Sequence, residues 1–178
     1  MAPKCKDNMY QLGNTGHADD FLHLASPDPA VDICPGDFLT VDTGATGISE
    51  AQLLSDWSVG GWSSNLATTL PLAVAAFVGV SAQEYGTEEC ITQPDCLPYW
   101  RKLKGNGWRR EYEIYDTSGV AAPTTWRVGD GFTFAKDPSG NLLLDNKVTK
   151  TSTANQIVFR AVHDSGPDAK GRVMVEFA

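Results

Sequence analysis

The chain has 178 residues, an ordinary hydrophobic content of 42%, four cysteines and a formal charge of −8. That acidity argues against general nucleic-acid binding, which needs cations to neutralise phosphates. The length suffices for a core that buries roughly 70% of the unfolded surface without metal or disulfide. The longest apolar run, 70–80, holds Pro71 and Gly79 and is too short to span a bilayer. The first residues lack the apolar stretch of a secretory leader, so synthesis in a cytoplasm is expected. There Cys5, Cys34, Cys90 and Cys96 are expected as free thiols. Cys90 and Cys96 flank a Pro-containing loop and could bridge in oxidising surroundings.

Residues 1–30 show no periodicity and are punctuated by Gly13, Gly16, Pro27 and Pro29. Tyr10, Leu12, Phe21, Leu22 and Leu24 make them more apolar than an ordinary disordered tail, which suggests an extended N-terminal arm that orders on a partner. Val31 to Asp42 reads as a bent strand or strand pair broken at Pro35-Gly36. The segment from Ser49 to Trp57 reads as a short helix capped by Ser49, with Leu53, Leu54 and Trp57 on one face. A second helix is expected over 66–76, weakened by Pro71. Phe77 to Ser81 reads as a buried strand, with Gly79 where another backbone approaches. Residues 85–107, with Pro94, Pro98, Gly105 and Gly107, read as an insertion loop.

Alternation returns at Trp108, Arg110, Tyr112 and Ile114, which share one side of a strand. From 126 to 177 the chain is short β-branched and aromatic runs cut by turn residues, such as Asp137-Pro138-Ser139-Gly140. Phe132 and Phe134 alternate with Thr133, and Val173 and Val175 with Met174 and Glu176. The expected fold is mainly β: an antiparallel β-barrel or sandwich with one or two short helices and an extended arm. Its domains are the arm, 1–30, and one β-rich domain, 31–178. Pro35-Gly36-Asp37-Phe38-Leu39-Thr40-Val41-Asp42 echoes Val128-Gly129-Asp130-Gly131-Phe132-Thr133-Phe134. An internal repeat and two independent β-ribbons of like geometry explain the echo equally well.

Chemistry-bearing motifs are few. His163-Asp164-Ser165 has hydrolytic residue types, but consecutive side chains diverge, so a polar turn is the expected role. Cys5, His17, His23 and Cys34 lack zinc-ligand spacing. No catalytic residue, metal or cofactor is expected. Five of the fourteen cations fall together at Arg101, Lys102, Lys104, Arg109 and Arg110, with Tyr99, Trp100 and Trp108 beside them. Such Arg–aromatic mixtures suit interface centres, so these residues and the arm apolars are the candidate protein-interface set. Exposed Trp57, Trp62, Trp100 and Trp108 would instead suit sugar stacking in a carbohydrate-binding domain. A small hydrolase using His163 is a further alternative.

The order N-L-A-T-T-L-P-L-A-V-A-A, F-V-G-V-S-A-Q, W-R-V-G-D-G-F-T-F, L-L-L-D-N-K-V, I-V-F-R-A-V and G-R-V-M-V-E-F resembles the small β-barrel decoration (cement) proteins of tailed-phage capsids. The likeness covers about residues 64–178, whereas the first thirty residues and 85–107 depart from it. It implies a non-enzymatic protein on the outer surface of a virion, bound to the major capsid protein, commonly as a homotrimer, without direct nucleic-acid or membrane contact. Removal of residues 1–30 is then expected to weaken attachment while the core still folds.

Overall fold

Two turns of the same chemistry open the two sheets of this computed structural model. It describes residues 20–24, 33–42, 50–54, 66–82, 97–105, 107–116, 125–136, 142–165 and 171–178. The chain groups into two compact units where the sequence suggests one domain over 31–178: residues 1–9, 16–57 and 76–102, and residues 10–15, 58–75 and 103–178.

Barrel 1 contains β1 (Asp20–Leu24), β2 (Phe38–Asp42), β3 (Glu50–Leu53), β4 (Phe77–Ser81) and β5 (Leu97–Arg101). Its strands close in the order β1-β3-β2-β4-β5. β1 runs parallel to β3, and the other pairs, including the closing pair β5–β1, are antiparallel. At residues 34–37 the turn places Gly36 at φ 94°, a conformation glycine adopts without steric cost. Asp37 N–H donates to Cys34 O (3.0 Å), and Cys34 N–H donates to Asp37 Oδ2 (2.7 Å).

Barrel 2 contains β6 (Arg110–Ile114), β7 (Gly131–Lys136), β8 (Leu142–Lys150), β9 (Phe159–Ala161) and β10 (Arg172–Phe177). Its cyclic order, β6-β8-β7-β9-β10, repeats that of barrel 1 strand for strand. Again the first and third strands are parallel and all other pairs antiparallel. The opening turn repeats too: Gly129 lies at φ 86°, Asp130 N–H donates to Arg127 O, and Arg127 N–H donates to Asp130 Oδ2. Gly36 N–H donates to Ser81 O and Ser81 N–H to Asp37 O; Gly129 N–H donates to Ala161 O and Ala161 N–H to Asp130 O. Leu54 N–H to Phe38 O matches Thr151 N–H to Gly131 O. Away from the bulges the registers agree with this equivalence; for example, Ser81↔Tyr99 matches Ala161↔Val175, whereas Asp42↔Glu50 is answered after the β7–β8 bulge by Ala135↔Leu143. The Gly-Asp echo therefore marks an internal repeat of one five-stranded closed barrel.

Between β3 and β4 lies α1 (Leu66–Ala76), which runs through Pro71. Between β8 and β9 a 3-10 turn, Ala154–Gln156, stands at the equivalent place. In barrel 1 the Thr40 hydroxyl donates to Ala76 O (2.8 Å) at the end of α1. Its equivalent Thr133, also buried, has no hydrogen-bond partner for Oγ1 among the described residues.

The interior of barrel 2 is aromatic. Trp108 stacks on Phe177 with centroids 4.2 Å apart, and Phe159 lies within ring-contact range of Trp108, Tyr112, Phe134 and Phe177. The predicted row Trp108, Arg110, Tyr112 and Ile114 is buried. On the opposite side of β6, ion pairs cross to its neighbours: Glu113 with Lys147 of β8, and Glu111 with Arg172 of β10.

Several expectations are corrected. Glu50–Leu53 is strand, not helix, because its backbone completes the ladders of β1 and β2, and non-local pairing outweighs local helix propensity. Leu97–Arg101 is β5 rather than insertion loop; despite Pro98 it pairs with β1 and β4. Residues 20–24 of the arm are β1, a barrel strand, so removal of residues 1–30 takes out a wall of barrel 1. Cys34 is disulfide-bonded rather than a free thiol. Cys5, Cys90 and Cys96 lie outside the described residues, as does the Asp137-Pro138-Ser139-Gly140 turn.

Candidate interaction surface

The candidate interface residues scatter. Trp100 (3% exposed), Trp108 (1%) and Arg110 (2%) are buried, which removes them as surface contacts. Trp100 and Trp108 are equally unavailable as sugar platforms, while Trp57 and Trp62 lie outside the described residues. Their burial follows from strand position: alternation turns Trp108 inward with Tyr112, which sequence spacing showed, but Trp100 is covered by a neighbour no spacing reveals. Arg101, Lys104 and Arg109 are exposed, and Arg109 reaches Glu176 at 3.6 Å. Lys102 lies half-buried with its ammonium 5.7 Å from the Phe77 ring centre, and burial lowers its pKa below the usual lysine value. Phe21, Leu22 and Leu24 occupy β1, whose side chains lie outside the description, as do Tyr10 and Leu12 altogether.

A surface that the candidate set omitted forms around the opening turn of barrel 2. Val128 occupies the second position of that turn and is 64% exposed. Arg127 beside it is exposed, and His163 is exposed on the adjoining segment. The turn is braced from four directions. Val128 N–H donates to Asp164 Oδ1 (2.6 Å), and Arg160 Nη1 donates to Gly129 O (2.8 Å). Asp130 takes Arg127 N–H on the Oδ2 that also meets Lys150 Nζ at 2.7 Å. Ser165 Oγ accepts from Trp126 N–H and donates to Trp126 O. No signal in the sequence singles this surface out: Pro35, before Gly-Asp in the equivalent turn of barrel 1, is half-buried where Val128 is exposed.

His163, Asp164 and Ser165 are thereby accounted for. Asp164 and Ser165 hold the backbone of 126–128, and His163 Nδ1 lies 3.0 Å from Asp164 O. The three do not converge on a common point as nucleophilic catalysis requires. With Cys34 in a disulfide, the Cys5, His17, His23, Cys34 set loses a thiolate. Among the described residues no group of three His, Cys, Asp or Glu could hold a metal ion, and no helix is long and apolar enough to cross a membrane.

No known family matches the chain. Neither a curated protein nor a solved structure is similar to it either.

The Lys150 hydrogen bond, with Arg127 N–H, holds the Asp130 carboxyl below the usual carboxylate range. A carboxyl depressed in the folded state adds stability above its unfolded pKa and loses it as pH falls through the folded one. Barrel 2 is therefore expected to weaken as pH drops below about 4, where an unfolded Asp takes up its proton. In Asp130→Asn that acid-side slope should shrink in urea titrations taken at successive pH values. An unchanged slope would mean that other carboxylates carry it.

Proposed function

We propose that this chain is a non-enzymatic virion structural protein that binds the outer capsid lattice and stabilises it, with the major capsid protein and further copies of itself as partners. One observation carries the reading. The chain is a duplicated closed barrel whose described polar side chains, at Asp37, Asp130, Asp164 and Ser165, are engaged in fixing its own turns. Closure leaves no open sheet edge within either barrel, so the fold is stiff and resists edge-to-edge aggregation. Stiff modules suit a role in which many weak contacts on a repeating surface sum to tight attachment. The resemblance of residues 64–178 to phage decoration proteins supports the same role, which would put the protein on the capsid exterior after synthesis in the host cytoplasm.

The test is add-back to purified capsids that lack the protein. Saturable binding, with a fixed number of chains per capsid and a higher capsid melting temperature, is expected. A truncation for this purpose should stop before Asp20, because β1 belongs to barrel 1. Absence of saturable binding to capsids encoded alongside it would end the proposal.

A further inference from the structure

The repeat allows the two barrels to be compared position by position. At the turn opening barrel 1, Cys34 is tied in a disulfide and Pro35 is half-buried. At the same place in barrel 2, Arg127 is exposed and Val128 is 64% exposed. The next outward row differs likewise. Phe38, Val80 and Trp100, in register across β2, β4 and β5, are exposed by only 2%, 0% and 3%. Their equivalents are Gly131, Arg160 and Glu176, of which the last two are half-exposed charged residues. One copy of this face is thus apolar and buried, and the other sets two half-exposed charged residues beside a buried glycine.

Charge is divided as well. The unit holding barrel 1 has four Lys or Arg against thirteen Asp or Glu, a net of −9; the unit holding barrel 2 has ten against nine, a net of +1. Two modules of one backbone design have become electrostatically distinct. By net charge, two copies of the unit holding barrel 1 repel each other, whereas that unit and a cation-bearing edge of barrel 2 attract.

We propose that the 127–130 turn of barrel 2 is a docking tip that receives the acidic barrel 1 of a second copy of this chain. Val128 supplies the apolar anchor and Arg127 the flanking cation that selects an acidic surface. The bonds from Asp130, Asp164 and Arg160 hold the tip in one shape before contact, so little ordering remains to be done on binding. Such a contact joins unlike surfaces. It is heterologous, so copies link barrel 2 to barrel 1 and either close a ring or repeat along a lattice. The inference rests on the self-association in the functional reading above and adds which surfaces meet.

Sedimentation velocity on the full chain tests it at about 0.05 M and about 0.5 M salt, where the Debye length falls several-fold. The wild type is expected to associate at low salt and to weaken about tenfold or more at high salt. Val128→Asp should lose association at both, Val128→Ile should keep it, and Leu103→Asp, at another exposed apolar site, should behave as wild type. Far-UV circular dichroism verifies the fold of each. Val128→Asp associating like wild type, or association indifferent to salt, overturns the docking surface while leaving self-association standing. A wild type that sediments as a monomer throughout overturns both. Capsid add-back with Val128→Asp reads lattice attachment separately.

Discussion

Trp108→Ala is expected to cost barrel 2 about 4 kcal/mol, in the range for truncating a fully buried aromatic side chain. Trp108 is 1% exposed, stacks on Phe177 at 4.2 Å and 19°, and lies 6.0 Å from Phe159 and 6.3 Å from Tyr112. Removing the indole leaves a cavity at the meeting point of β6, β9 and β10. The aromatic neighbours cannot collapse into it without breaking ladder registers such as Phe177↔Phe159. Trp108→Phe keeps a ring and should cost about half as much or less. Urea denaturation followed by near-ultraviolet circular dichroism reads both. A loss below about 1 kcal/mol for the alanine variant would show that the aromatic cluster does not hold barrel 2 together.

Gly79→Ala is expected to be of similar severity, about 3 kcal/mol or more, and to fall on barrel 1. A Cβ at this position would lie 2.1 Å from the Trp100 carbonyl oxygen and 2.8 Å from the Tyr99 ring. The clash is with backbone, which cannot rotate away as a flexible side-chain end can. Relief requires β4 and β5 to part, and these strands pair at Gly79↔Arg101 and Val80↔Trp100. Gly105→Ala serves as a control of a different kind: nothing lies within 4 Å of its Cβ, so only the strain of φ +81° is added. Thermal melts should place Gly79→Ala far below Gly105→Ala. Equal melting temperatures would show that the close approach is not retained in solution.

Much of the strand content was legible. The row Trp108, Arg110, Tyr112 and Ile114 is buried as its period of two indicates. Gly79 stands where another backbone passes, as a glycine inside a strand pattern suggests. The helix at Leu66–Ala76 appeared despite Pro71. Glu50–Leu53 and Leu97–Arg101 were missed because each is a strand by virtue of distant partners, against its own helical or loop-like composition. The candidate surface fared less well. Clustering in sequence grouped Arg101, Lys102, Lys104, Arg109 and Arg110, yet the fold exposes some of these and buries Arg110. Val128 was overlooked because a single apolar residue in a polar turn carries no pattern.

The order of residues alone determined where strands alternate, where glycines must bend the chain, and that two Gly-Asp turns share a local chemistry. These depend on contacts within a few residues, which the covalent chain already brings together. Only the tertiary structure decided that each turn opens a closed barrel, that the two barrels match in order and register, and that Val128 stands open where Cys34-Pro35 is engaged. Closure is made by pairs such as Asp20↔Tyr99 and Val175↔Arg110, whose partners are far apart along the chain. Their hydrogen bonds form only when the whole ring of strands comes together, so no short window of sequence records them.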